Sequence, residues 1–230
     1  MSKINVLIFP AEGENAYELH SALSYCVNIN LYGASSVARH GLYLFSNYSH
    51  NLPFISSPAF IKEFNDYLYA NQIDCIFPTH DTIALFLQEH ATEIHAKLLM
   101  GDLYTAKICR SKIQTYELFA DCNFVPRRYC GIDANINFPL FSKPDESEGA
   151  HGTKMVNNIE ELQLIDFNNN LVTEYLPGKE YTIDCFTDKD GQLRYVSPRT
   201  RERIMAGVSV SGRNIPITDE IQHIAETINQ

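Results

Sequence analysis

The first third of the chain carries three short apolar runs, each stopped by proline or glycine. Ile4-Asn5-Val6-Leu7-Ile8-Phe9 ends at Pro10, residues 28–32 end at Gly33-Ala34-Ser35, and residues 73–77 end at Pro78. Such runs are too short for buried helices and have the length of buried strands. Between them lie segments with helical spacing: Tyr17, Leu19, Ala22 and Leu23 in one, Phe60, Phe64, Tyr67 and Leu68 in another, and residues 82–90 after the third run. Strands separated by helices need parallel crossovers, so this region is expected to form a doubly wound parallel sheet. In such a sheet the loops at the carboxyl ends of the strands face the ligand crevice. Here these are Pro10–Glu14, Gly33–Ser36 and Pro78–Thr82.

The pattern changes near residue 100 and becomes α+β. Ser111 is a plausible cap for a helix running to Ala120, and Phe124–Tyr129 reads as extended. A strand at Phe138–Ser142 runs into a polar loop, Pro144–Thr153, that carries two glycines. A helix is expected over Glu160–Phe167, capped by Asn157 or Asn158. Leu171–Tyr175, Tyr181–Thr187 and Leu193–Val196 read as antiparallel strands, the last two joined by the turn Asp188-Lys189-Asp190-Gly191.

Composition narrows the partners. Across 230 residues, 18 Lys+Arg against 28 Asp+Glu leave a net charge of −10, while 45% of residues are apolar. That is enough apolar material for a buried core, and the acidic balance disfavours nucleic acid and anionic membrane as partners. The six cysteines show no CxxC spacing, and the eight histidines form no HxH or HExxH pattern. Buried free thiols and no structural metal are the expectation. Met1-Ser2-Lys3 leads into too few apolar residues for a signal sequence or a membrane span, which points to a cytoplasmic protein.

Three loops carry candidate chemistry. The first, Pro10-Ala11-Glu12-Gly13-Glu14-Asn15, has one glycine flanked by acids, which disfavours a dinucleotide pyrophosphate. A helix dipole would suffice to stabilise Glu12 and Glu14. The second begins at Lys143 and continues through Gly149, Ala150, His151, Gly152 and Thr153. An ammonium group and unobstructed backbone amides can meet phosphate oxygens from two sides, whereas Asp145, Glu146 and Glu148 oppose that use and fit a solvated loop. The third, Glu174-Tyr175-Leu176-Pro177-Gly178-Lys179-Glu180-Tyr181, joins two strands through Pro-Gly and places acids at both ends. Such a turn can present backbone groups to an adenine edge and a carboxylate to ribose hydroxyls, or it can be a surface hairpin.

Taken in order, these segments resemble the ATP-grasp superfamily, in its carbamoyl-phosphate-synthase-like and biotin-carboxylase-like branch. Ser111-Lys112, a helix and Asn123-Phe124-Val125-Pro126 are similar to the family's lysine, helix and Gly-Ile/Val-Pro passage. Phe141-Ser142-Lys143-Pro144 with Gly149–Thr153 is similar to its Val-Lys-Pro strand and glycine-rich lid. Glu174 to Asp184 follows its Glu-x-h-x-Gly-x-Glu-h-(S/T)-h-(D/E) hinge. The resemblance implies a Rossmann-like parallel preceding domain over 1–105, followed by an incomplete α+β ATP-grasp domain. Its first subdomain would span 106–170 and its second 171–230.

What the resemblance implies for the site is specific. Lys112 and Lys143 would contact the ATP phosphates, and Gly149, Ala150, Gly152 and Thr153 would form the lid. Glu174 would sit at the adenine amino group, with the Leu176 backbone on the ring edge and Glu180 on the ribose. Arg201 and Arg203, in Ser197-Pro198-Arg199-Thr200-Arg201-Glu202-Arg203, are the candidates for an arginine near the reacting phosphoryl group; alternation along a strand would put both on one face. Members of the family activate a carboxylate as an acyl phosphate for attack by an amine or similar nucleophile, using ATP and Mg²⁺. Small-molecule carboxylate and amine substrates are therefore implied.

The chain departs from the family at its end. The family's late acidic residue and acidic-x-Asn-x-Arg strand, which hold Mg²⁺, have no counterpart after Arg213. Glu226-Thr227-Ile228-Asn229 has the wrong spacing, and Ile217, Ile221, Ile224 and Ile228 mark a helix there. The expectation is that no metal ligands lie in this chain, and that a missing segment, a partner chain or a homodimer completes the domain. The alternative is a nucleotide-binding or interaction module of the same fold, without ligase activity of its own.

Overall fold

The structure is a computed structural model that describes residues 3–133, 135–205 and 207–230. The chain divides into two compact units, Met1–Arg110 and Ser111–Gln230.

In the first unit the three apolar runs become β1 (Ile4–Phe9), β2 (Ile29–Ala34) and β4 (Cys75–Pro78), joined by two short strands, β3 (Asn47–Ser49) and β5 (Lys97–Leu98). All pairings are parallel, in the order β3-β2-β1-β4-β5. The sheet reverses direction of winding beside β1, which places the crevice at the carboxyl ends of β1 and β4. Helices α1 (Glu14–Leu23), α2 (Gly41–Leu44), α3 (Phe60–Ala70), α4 (Asp81–Glu89) and α5 (Leu103–Arg110) make the connections and the carboxyl-terminal end of the unit. The helix face read from the sequence is the one that packs: Phe60, Phe64 and Leu68 are buried with Leu7, Phe9, Ile76 and Leu87. The Phe9 and Phe64 rings lie 5.0 Å apart. Each such side chain contributes about 1.5–3 kcal/mol on burial.

The loop after β1 is pinned by polar groups. Thr79 Oγ1 donates to the Pro10 carbonyl at 2.6 Å, and Asn15 Nδ2 donates to the Thr79 carbonyl at 3.2 Å. Glu12 is held by specific donors, which the sequence reading did not foresee. Its carboxylate accepts from the backbone amides of Arg39 and Gly41, both at 3.3 Å, and from the Tyr48 hydroxyl. Only Glu14 lies in the first turn of α1.

The second unit contains α6 (Lys112–Leu118), β6 (Arg128–Tyr129), β7 (Leu140–Pro144), β8 (Lys154–Val156), α7 (Ile159–Leu162), β9 (Asn170–Glu174), β10 (Tyr181–Thr187), β11 (Leu193–Thr200), β12 (Arg203–Met205), β13 (Val208–Ser211) and α8 (Asp219–Asn229). Ser111 and Asn158 cap α6 and α7 with their side-chain oxygens. The helix α7 is shorter than the expected Glu160–Phe167, because the chain leaves the helix after Leu162 while Ile165 and Phe167 still pack on the core. A four-stranded antiparallel sheet, β6-β9-β7-β8, carries Tyr129, Leu140, Val156, Leu162 and Val172 in its core.

Strand β9 belongs to this sheet and does not pair with β10, although the sequence makes them look like one meander. β10 and β11 form a separate hairpin, and β12 pairs with β13. The thiols are free but not buried: Cys26, Cys109, Cys130 and Cys185 are exposed, and Cys75 and Cys122 are half-buried. Only Cys75 and Cys185 lie in strands; Cys109 is in α5 and the other three are in turns and loops, where an apolar neighbour in sequence does not ensure an apolar neighbour in space. No described helix is long and apolar enough to cross a membrane.

Candidate functional site

β7 sets the orientation of the site. Leu140 and Ser142 are fully buried towards the core, so Phe141 and Lys143 fall on the opposite, half-open face. The Lys143 ammonium lies 5.6 Å from the Phe141 ring centroid. Burial holds its pKa below the ordinary lysine value, and the nearby Glu180 carboxylate opposes that shift. Among the described residues the Lys143 ammonium has no hydrogen-bond or ion-pair partner.

The acids beside Lys143 are partly accounted for. Asp145 turns back onto the start of α6, where its carboxylate accepts from Ser111 Oγ at 2.9 Å and from the Ile113 amide at 2.7 Å. Lys112 is committed to the same loop. Its ammonium donates to the carbonyls of Asp145 and Ser147, both at 3.0 Å. Lys112 therefore holds the loop by its backbone, while Lys143 points its charge elsewhere.

The loop itself has an unusual backbone. Gly149, Ala150 and Gly152 take φ of 56, 59 and 71°. Thr153 closes the turn, its amide and Oγ1 both donating to the Ala150 carbonyl at 3.2 and 2.8 Å. Gly207, at φ 79°, packs so closely that a Cβ there would stand 2.5–2.6 Å from Gly149 and Ala150. Nothing in the sequence near Gly207 announces this contact, because the partners are far apart along the chain.

At the hinge, Glu174 pairs with Arg127. The Glu174 carboxylate accepts from the Arg127 amide at 2.8 Å, and the Glu174 amide donates to the Arg127 carbonyl at 3.0 Å. Beyond it, among the described residues, no backbone hydrogen bond engages residues 175–180. Leu176 is 60% exposed, and among the described residues its amide and carbonyl enter no backbone hydrogen bond.

The two arginines separate. Arg201 lies past the end of β11 and Arg203 begins β12, so no single strand face holds both, contrary to the alternation argument. Arg203 is exposed. The Arg201 side chain is only 15% exposed; one guanidinium nitrogen pairs with Glu180 and another donates to the Gly207 carbonyl at 2.5 Å. Glu180 thus stands next to Arg201 and within electrostatic reach of Lys143. Asn229 is a structural pin at the end of α8: it accepts from Thr187 and donates to the Gly191 carbonyl. Among the described residues, no group of three His, Cys, Asp or Glu side chains is gathered for a metal ion.

The architecture has known counterparts. The whole chain superposes on the biotin carboxylase domain of Hydrogenobacter thermophilus 2-oxoglutarate carboxylase, solved with ADP, Mg²⁺ and bicarbonate, with a TM-score of 0.74 and 15% identity. It also matches, over its whole length, N5-carboxyaminoimidazole ribonucleotide synthetase from Thermotoga maritima (TM-score 0.67, 14% identity) and an L-amino acid ligase from Bacillus licheniformis (0.65, 15%). It spans 57%, 60% and 59% of those chains. At 14–15% identity these likenesses give the fold: the chain has the fold that these enzymes share. Residues 166–230 match the model of one ATP-grasp family, described as ATP-grasp in the biosynthetic pathway with Ter operon. No curated protein matches the chain by sequence.

Proposed function

We propose that the second unit binds ATP and works in an ATP-dependent ligase that activates a carboxylate for attack by an amine or similar nucleophile. One observation carries the reading: Glu180, paired with Arg201 and within electrostatic reach of Lys143, stands beside a hinge whose backbone groups are unengaged among the described residues. A nucleotide needs this sequence of groups, with amide and carbonyl for the base, a carboxylate for the ribose, and a cation for the phosphates.

ATP would supply the phosphoryl group that turns the carboxylate into an acyl phosphate. The chain's own residues position and shield it. Lys143, desolvated and without a partner, is a fixed positive charge whose effect on phosphate oxygens is stronger than it would be in water. The loop over Gly149–Thr153 would exclude water from the mixed anhydride. Lys112 would hold that loop to α6 and reach phosphate only by exchanging a carbonyl for a phosphate oxygen. The described residues gather no group of three His, Cys, Asp or Glu side chains that could hold Mg²⁺.

Within this reading the first unit is the preceding domain and the second is the ATP-grasp domain. The carboxylate, the amine and any completing chain are those of the whole protein. The test is calorimetric titration with ATP, with and without Mg²⁺. Binding that is largely independent of Mg²⁺, and weakened by Lys143→Ala or Glu180→Ala in folded variants, is expected. No binding at millimolar ATP in either condition sinks the nucleotide reading and leaves an interaction module of the same fold.

A further inference from the structure

Glu180 is an exposed carboxylate that one cation holds still. Its side chain is 61% exposed, against 15% for Arg201. Arg201 takes only one of the two carboxylate oxygens. A carboxylate has about four acceptor positions, so the outward oxygen keeps its capacity for a ligand hydroxyl.

Arg201 is less free. Its guanidinium spans from Glu180 to the Gly207 carbonyl, and its Nε is buried without a partner. Swinging towards a phosphate would leave the Gly207 carbonyl without its donor and separate a largely buried charge from its counterion, which is costly. Gly207 is also the residue packed on Gly149 and Ala150, so the same guanidinium ties Glu180 to the seat of the loop.

We infer that Arg201 is a positioning residue for the ribose acceptor rather than a phosphate-binding arginine: it fixes Glu180 so that the outward oxygen meets a ribose hydroxyl. This rests on the nucleotide reading above and assigns Arg201 a role different from the one its motif implies. Freed of Arg201, Glu180 would be a mobile surface side chain and would lose its rotamer entropy on each binding event.

The discriminating experiment compares three probes on the full chain: ATP, 2′,3′-dideoxy-ATP and inorganic tripolyphosphate. The unaltered chain is expected to prefer ATP over the dideoxy nucleotide by about tenfold, the value of one good hydrogen bond to a charged group. Arg201→Gln is expected to erase that preference while leaving tripolyphosphate affinity within about twofold. If Arg201 binds phosphate, tripolyphosphate and both nucleotides weaken together and the preference survives, which overturns the inference. Arg201→Lys keeps the charge but loses the fork, and should lose most of the preference as well. Glu180→Gln covers the case in which Arg201 variants do not fold, as judged by circular dichroism: it too should lose the preference and keep tripolyphosphate. Retention of the preference in Glu180→Gln overturns the inference. An unaltered chain that binds ATP with no preference over the dideoxy form overturns it alone, whereas one that binds no ATP overturns the nucleotide reading as well.

Discussion

Asp145 accepts a hydrogen bond from Ser111 Oγ at 2.9 Å, across 34 positions of sequence, and so faces the start of α6. The acid next to Lys143 is thereby removed from the loop it interrupts in sequence. Its carboxylate also receives the Ile113 amide at 2.7 Å, one of the donors a helix start leaves unpaired. Asp145→Ala should cost about 1–2 kcal/mol, read from urea unfolding of the second unit. Its effect on ATP affinity should be smaller than that of Lys143→Ala. A variant as stable as the unaltered chain would show that the Asp145 bonds contribute nothing.

If the second unit binds ATP as proposed, Lys143 should make its affinity sensitive to pH. Desolvation lowers its pKa, and the Glu180 charge only partly restores it. The charged form is present below that lowered pKa and disappears as pH rises through it, so phosphate attraction should fade at lower pH than for an ordinary lysine near 10.4. Affinity measured from pH 7 to 10 should fall, with proton uptake on binding at the alkaline end. In Lys143→Arg the fall should vanish, because the guanidinium stays charged throughout. The same slope in both proteins would assign the effect to another group.

Tyr48 gives the first unit an alkaline weakness. Burial, then the hydrogen bond and charge of Glu12, push the phenol well above its ordinary pKa. The folded state favours the protonated form, so this contribution is complete below the unfolded tyrosine value of about 10 and is lost as pH rises above it. Tyr48→Phe should cost about 1–2 kcal/mol at pH 7 and lose less stability than the unaltered protein between pH 9 and 11. Urea unfolding at the two ends of that range decides it. Parallel losses would show that the folded chain does not hold the Tyr48 phenol protonated.

Gly207→Ala should loosen the loop. The residue stands at φ 79°, and a Cβ would come within 2.6 Å of Gly149 and Ala150. Strain and displacement together should cost about 1–3 kcal/mol. Faster proteolysis or hydrogen exchange confined to 147–153 is the expected readout. Unchanged protection of the loop would mean that the close packing does not hold it.

The sequence by itself determined the elements whose signal is local. Apolar runs ended by proline made β1 and β4 legible, the spacing of Phe60, Phe64 and Leu68 marked a helix face, and Ser111 marked a cap. Strands of two or three residues, such as β3, β5 and β6, carry too few residues to show a period, and they exist through pairing with neighbours already in place. The order of Lys143, the glycine loop and Glu180 along the chain was enough to suggest a nucleotide site. Which of Arg201 and Arg203 turns inward, where Asp145 points, and what packs on Gly149 could not be read there. Each depends on contacts between segments tens of residues apart, and only the folded chain decides which distant groups share a face.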